Sequence, residues 1–148
     1  MIYKPNEDEL KSIGTKAQRQ VWAKALRSGT YEQFFTRMCD PTKFGTACCL
    51  HVAAIEVDNI KWEDGFYALL GGGGKIKSFG TPCNLYVTAP FANHAAEAGF
   101  ACFDENGIVY GFVEMNDELH FTFDQIADIL EGKEVNTHNT EDYIGDYA

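Results

Sequence analysis

Residues 44–58 read FGTACCLHVAAIEVD. Two adjacent cysteines and a histidine head an apolar run bounded by Gly45 and by Asp58-Asn59. This run is either a metal- or thiol-bearing site or the buried start of a core element. From Cys48 to Val57 apolar positions outnumber polar ones, which predicts a buried helix; a strand also fits so short a run. On a helix, adjacent residues diverge by about 100° and residues two apart by about 200°. Neither Cys48 with Cys49 nor Cys49 with His51 then aims at one ion. A structural zinc site uses a knuckle of two cysteines roughly two to four residues apart, and the five cysteines at 39, 48, 49, 83 and 102 contain none. The expectation is no metal and no cofactor, with the paired thiols packed as small hydrophobes. The residues leave one alternative open: an enzyme with Cys49 at a helix N-terminus as nucleophile and His51 or His94 as base, or a metal-binding protein using Cys49 with His51 or His94, whose first pair a strand would place on one face.

Working outward, Asn6 with Glu9 forms a capping-box pair that starts a first helix, which Gly14 ends. Thr15 caps a second helix that runs to Ser28. Ala17, Val21, Trp22, Ala25 and Leu26 form its apolar stripe, and Lys16, Arg19, Lys24 and Arg27 point elsewhere. Tyr31 to Met38 is aromatic and partly alternating, which predicts a strand. Short strands are also expected at 66–70, 75–79 and 85–88, and an alanine-rich helix at 91–98. Asn106-Gly107 lies between the runs 100–103 and 108–115, a hairpin signal. Thr122 with Gln125 caps a last helix, whose stripe is Phe123, Ile126, Ala127 and Leu130. The whole predicts an α+β single domain over residues 1–132, with helices packed on a mostly antiparallel sheet. Residues 133–148 are polar and acidic and are expected to be a disordered tail.

Of the 148 residues, 1–99 carry 11 Lys and Arg against 10 Asp and Glu, whereas 100–148 carry 1 against 12. The net charge of -10 therefore lies in the last third. Neutralising phosphates takes Lys and Arg, so direct nucleic-acid binding through that third is disfavoured. The acidic candidates for a binding surface are Glu114, Asp117, Glu118, Asp124, Asp128 and Glu131, and a basic protein is the partner they suit. The basic helix 15–28 is the second candidate surface. No apolar run reaches the ~20 residues needed to span a bilayer. The opening MIYKPNEDEL lacks the basic-then-apolar form of a signal peptide. An odd cysteine count with an adjacent pair suits free thiols in a reducing compartment, so a cytoplasmic location is expected.

Two motifs fail. GGGGKI (71–76) has Leu69 where a phosphate loop needs its first glycine and Ile76 where it needs a hydroxyl. The helix from Phe123 is followed by Gly132 and acidic residues rather than a recognition helix.

Three segments together resemble a family of small proteins of bacteriophages and bacterial genomes. They are W-A-K-A-L-R-S-G-T-Y-E-Q from Trp22 to Gln33, Cys48-Cys49-Leu50, and Asn116-Asp117 followed by T-F-D-Q-I-A-D from Thr122 to Asp128. His51 stands where that family's pattern has glycine. The resemblance implies a phage or prophage context, and it carries no catalytic residue. The reading that results is a small non-enzymatic accessory protein that binds a macromolecular partner.

Overall fold

The structure is a computed structural model, and it describes residues 2–35, 45–60, 89–97, 102–103 and 109–136. The strands expected at 66–70, 75–79 and 85–88 lie outside the described residues, as does the glycine run 71–74.

Six helices carry the described fold: α1 (Glu7–Ile13), α2 (Lys16–Arg27), α3 (Cys49–Glu56), α4 (Pro90–Glu97), α5 (Phe112–Asp117) and α6 (Phe123–Leu130). Three begin as the sequence requires. The Asn6, Thr15 and Thr122 side chains accept from the backbone N–H of Glu9, Gln18 and Gln125 at 2.8, 3.1 and 3.1 Å. The three partner side chains return to the cap N–H groups, so two otherwise bare donors are satisfied at each helix start. Gly14 separates α1 from α2 at φ 154°. A Cβ there would lie 2.5 Å from a Phe91 ring carbon, so the tight approach of α4 to this junction requires glycine.

The strands are short: β1 (Ile2–Tyr3), β2 (Glu32–Gln33), β3 (Thr46–Ala47), β4 (Cys102–Phe103), β5 (Val109–Tyr110) and β6 (Val135–Asn136). They form three separate pairs. β1 with β6 and β4 with β5 are antiparallel, and β2 with β3 is parallel. The chain is thus α+β, but the described strands form small separate pairs and not the expected mostly antiparallel sheet with helices packed on it. Two-residue strands offer no face wide enough to cover a helix, so the helices pack on one another. The 108–115 strand also shortens, to Val109–Tyr110. Gly111 breaks it and leads into α5, with Glu114 accepting from the Gly111 N–H at 3.2 Å. Val135 is buried and paired, so the fold continues beyond the boundary drawn at 132.

α3 is the central element. Cys49, Leu50, His51, Val52, Ala53 and Ala54 are all buried, the pattern of a helix enclosed on all sides. It packs against α2, α4 and α5, while α2 makes its most extensive contact with α6. Trp22 of α2 is 0% exposed and anchors this core. Its ring meets Phe91 edge-on at 5.6 Å and Phe112 at 4.9 Å. The α6 stripe is as expected, with Ile129 buried beside it. The α2 stripe is rotated: Arg19, Trp22, Ala23 and Leu26 are buried, whereas Ala17 and Val21 are exposed. Trp22 sets the inward axis, and its helical neighbours at i−3, i+1 and i+4 follow it inside.

Candidate functional site

Among the described residues, three places hold chemistry-bearing side chains: the cysteine pair, the acidic face, and a groove along α2.

The Cys48 backbone is extended, and its sulfur accepts from the His51 N–H at 3.4 Å, so a thiol serves as the N-cap of α3. Cys49 is 0% exposed and its Sγ donates to the Phe112 carbonyl at 3.6 Å. Burial pushes the Cys49 thiol well above its ordinary range, and the proximity of Cys48 and Asp117 adds to this. A nucleophile must be a thiolate with access to substrate, and this thiol is protonated and enclosed. His51 is also 0% exposed. His94 lies apart on the exposed side of α4, with its Nε2 2.7 Å from the Ser12 carbonyl. Among the described residues, no group of three or more His, Cys, Asp or Glu is placed to hold a metal ion.

What converges on Cys49 is a polar knot. Trp22 Nε1–H donates to the Cys49 carbonyl at 2.9 Å. The Cys49 N–H donates to Asn116 Oδ1 at 3.1 Å, and the same oxygen accepts from Gln33 Nε2 at 3.0 Å. Asn116 Nδ2 donates to the Phe34 carbonyl and to Asp117 Oδ1, both at 2.8 Å. Gln33 Nε2 also reaches the Phe121 carbonyl at 2.7 Å. Asn116 is 1% exposed and makes all four hydrogen bonds that an amide allows. The residues of the three resembling segments therefore meet at this knot. Its role is to tie β2, α3 and α5 together.

Of the six acidic candidates, Glu114 caps α5 and Asp117 accepts from Asn116. Glu118 is exposed at the end of α5. The other three surround Arg27 of α2. Its Nε donates to Glu131 at 2.8 Å, Nη2 pairs with Asp128, and Nη1 lies 3.7 Å from Asp124. Lys133 reaches the second Glu131 oxygen at 3.0 Å. Hydrogen bonding to Asp128 is the first cause that raises the Arg27 pKa. For Glu131, partial burial acts upward, but Lys133 and Arg27 outweigh it and hold the carboxyl below its usual range. The basic and acidic candidate surfaces thus join at the α2–α6 contact.

Beside that contact runs a groove of about 730 Å³. Leu10, Ala23 and Leu130 give it apolar lining, and Lys16, Arg19 and Lys24 bring positive charge. A second hollow of about 590 Å³ at the α1–α2 junction shares Lys16 and Arg19. Arg19 is 9% exposed and its Nε meets no acceptor. The sequence reading put Arg19 outside. The available signal was its place three residues before Trp22, which puts it on the same face.

No family model matches the chain, and no curated protein or solved structure matches it either. Among the described residues, no helix is long and apolar enough to cross a membrane.

Proposed function

We propose that this chain is a small non-enzymatic accessory protein that binds a basic macromolecular partner through its acidic last third. The phage or prophage context is part of the proposal and rests on the three-segment resemblance. One observation carries the reading. The side chains suited to covalent or metal chemistry at Cys48, Cys49 and His51 are sealed in the core, while the described acidic side chains lie outside it. Among the described residues the acidic face keeps a surplus after pairing, since Asp124, Asp128 and Glu131 face Arg27 and Lys133 alone. The Asp124 side chain is 75% exposed, and Glu118 and Glu134 stand exposed nearby in sequence.

The test is titration of the full chain with an arginine-rich peptide at about 0.05 and 0.5 M salt. Binding should fall steeply with salt. It should weaken more in a Glu118→Gln/Asp124→Asn variant than in Glu7→Gln/Asp8→Asn, which removes the same charge from α1. Equal weakening by the two pairs, or salt-insensitive binding, would overturn the assignment. The competing reading, a Cys49-based enzyme, requires rapid alkylation of Cys49 in the native protein at neutral pH. Burial of the thiol opposes it.

A further inference from the structure

We propose that the groove between α2 and α6 is a binding site for a small organic phosphate, a dianion carrying an apolar body, with Arg19 as its central ligand. This does not depend on the acidic-face reading, since it uses other residues and a ligand of opposite sign.

A buried arginine is ordinarily met by a carboxylate or by several acceptors, because an ion taken out of water without a partner is costly. Arg19 is more than nine-tenths buried, lines the groove, and has an Nε with no acceptor. Among the described residues no carboxylate pairs with it. Arg27, by contrast, is paired with Asp128 and Glu131.

The surroundings add to the demand for negative charge. The first turn of α2 holds no acidic residue, whereas that of α1 holds Glu7, Asp8 and Glu9. The positive end of the α2 dipole is therefore left without its usual counter-charge, and Lys16 stands there instead. With Arg27 and Glu131 paired to each other, the groove presents Lys16, Arg19 and Lys24 against Glu7. That surplus of two positive charges matches a phosphomonoester, which carries about −1.5 to −2 near pH 7, better than a carboxylate. Arginine's planar fork suits the phosphate oxygens. Leu10, Ala23 and Leu130 provide the surface for an apolar substituent. The volume, about 730 Å³, falls within the usual range for small-molecule sites.

The experiment is calorimetric titration of the full chain with phenyl phosphate, inorganic phosphate and benzoate. Phenyl phosphate should saturate one site and bind at least about tenfold more tightly than either of the others, since each lacks one half of the recognition. Arg19→Met keeps the aliphatic stem and should weaken phenyl phosphate at least about tenfold. Its melting temperature without ligand should be unchanged or higher, because a buried N–H that meets no acceptor has gone. Should Arg19→Met not fold, the surface variant Lys16→Gln/Lys24→Gln decides the matter, and it too should lose affinity. The proposal is overturned by absence of saturation, by unchanged affinity in a folded variant, or by capture of an RNA oligonucleotide or anionic vesicles without binding of phenyl phosphate.

Discussion

The knot around Asn116 and the charged face around Arg27 are both polar, yet they follow opposite rules. At the knot the groups are mostly neutral and dry, and the amide's bonding capacity is filled. At the face the groups are ions in partial contact with water. Arg27 gathers three carboxylates while Arg19, two turns away on the same helix, gathers none. An unmade bond is expensive inside and cheap outside. Arg19 apart, the interior polar groups therefore tie the fold together, and the exterior ions contribute less to it.

The comparison breaks first if the interior tolerates loss. Trp22→Ala should be the most damaging change, at about 3–5 kcal/mol for a fully buried aromatic ring, with the Cys49 carbonyl also left bare. Urea unfolding measures it, and a loss below about 1 kcal/mol would mean the core is not centred there. Next is Asn116→Leu, which strands the Cys49 N–H and the Phe34 carbonyl and should cost about 2–3 kcal/mol. Amide hydrogen exchange at Cys49 should speed up with it. Arg27→Ala on the face should cost only about 1 kcal/mol, and the loss should shrink as salt is added. A salt-independent loss would place Arg27 with the interior instead.

The smallest effect concerns pH. His120 stacks on Phe35 at 4.4 Å, and burial lowers its pKa, with Asp117 acting the other way. The unfolded imidazole takes up a proton below about pH 6.5, while the folded one resists until lower pH. The His120 contribution is therefore intact above that value and is lost as pH falls through the folded pKa. His120→Asn suits the left-handed backbone there, φ 53°, and should flatten stability against pH below about 6.5.

Local rules were legible in the sequence where one residue acts on its near neighbours. The Asn6, Thr15 and Thr122 caps and the α6 stripe follow from spacing alone, and the burial of α3 follows from its run of apolar residues, which left helix and strand both open. The stretch before Asn116 misled, because a six-residue helix spans fewer than two turns and shows no period, so F-V-x-M reads equally as strand. Asn116 was opaque for another reason, since its role comes from partners distant in the chain, Gln33 and Cys49 around the amide. The inward face of Arg19 was legible from its place three residues before Trp22, but the groove it lines with residues of α1 and α6 was not. Composition placed the negative charge correctly, but it carried no information on Arg27 reaching across to Asp128 and Glu131.

Asp58, just past the end of α3, accepts from the N–H groups of Phe91 and Ala92, both at 2.9 Å. It thereby grips the first turn of α4 across the whole intervening stretch of sequence. One carboxylate thus fills two N–H groups of the first turn of α4 that no intrahelical acceptor can reach, so the end of α3 and the start of α4 are held together by a cap borrowed from a neighbouring helix.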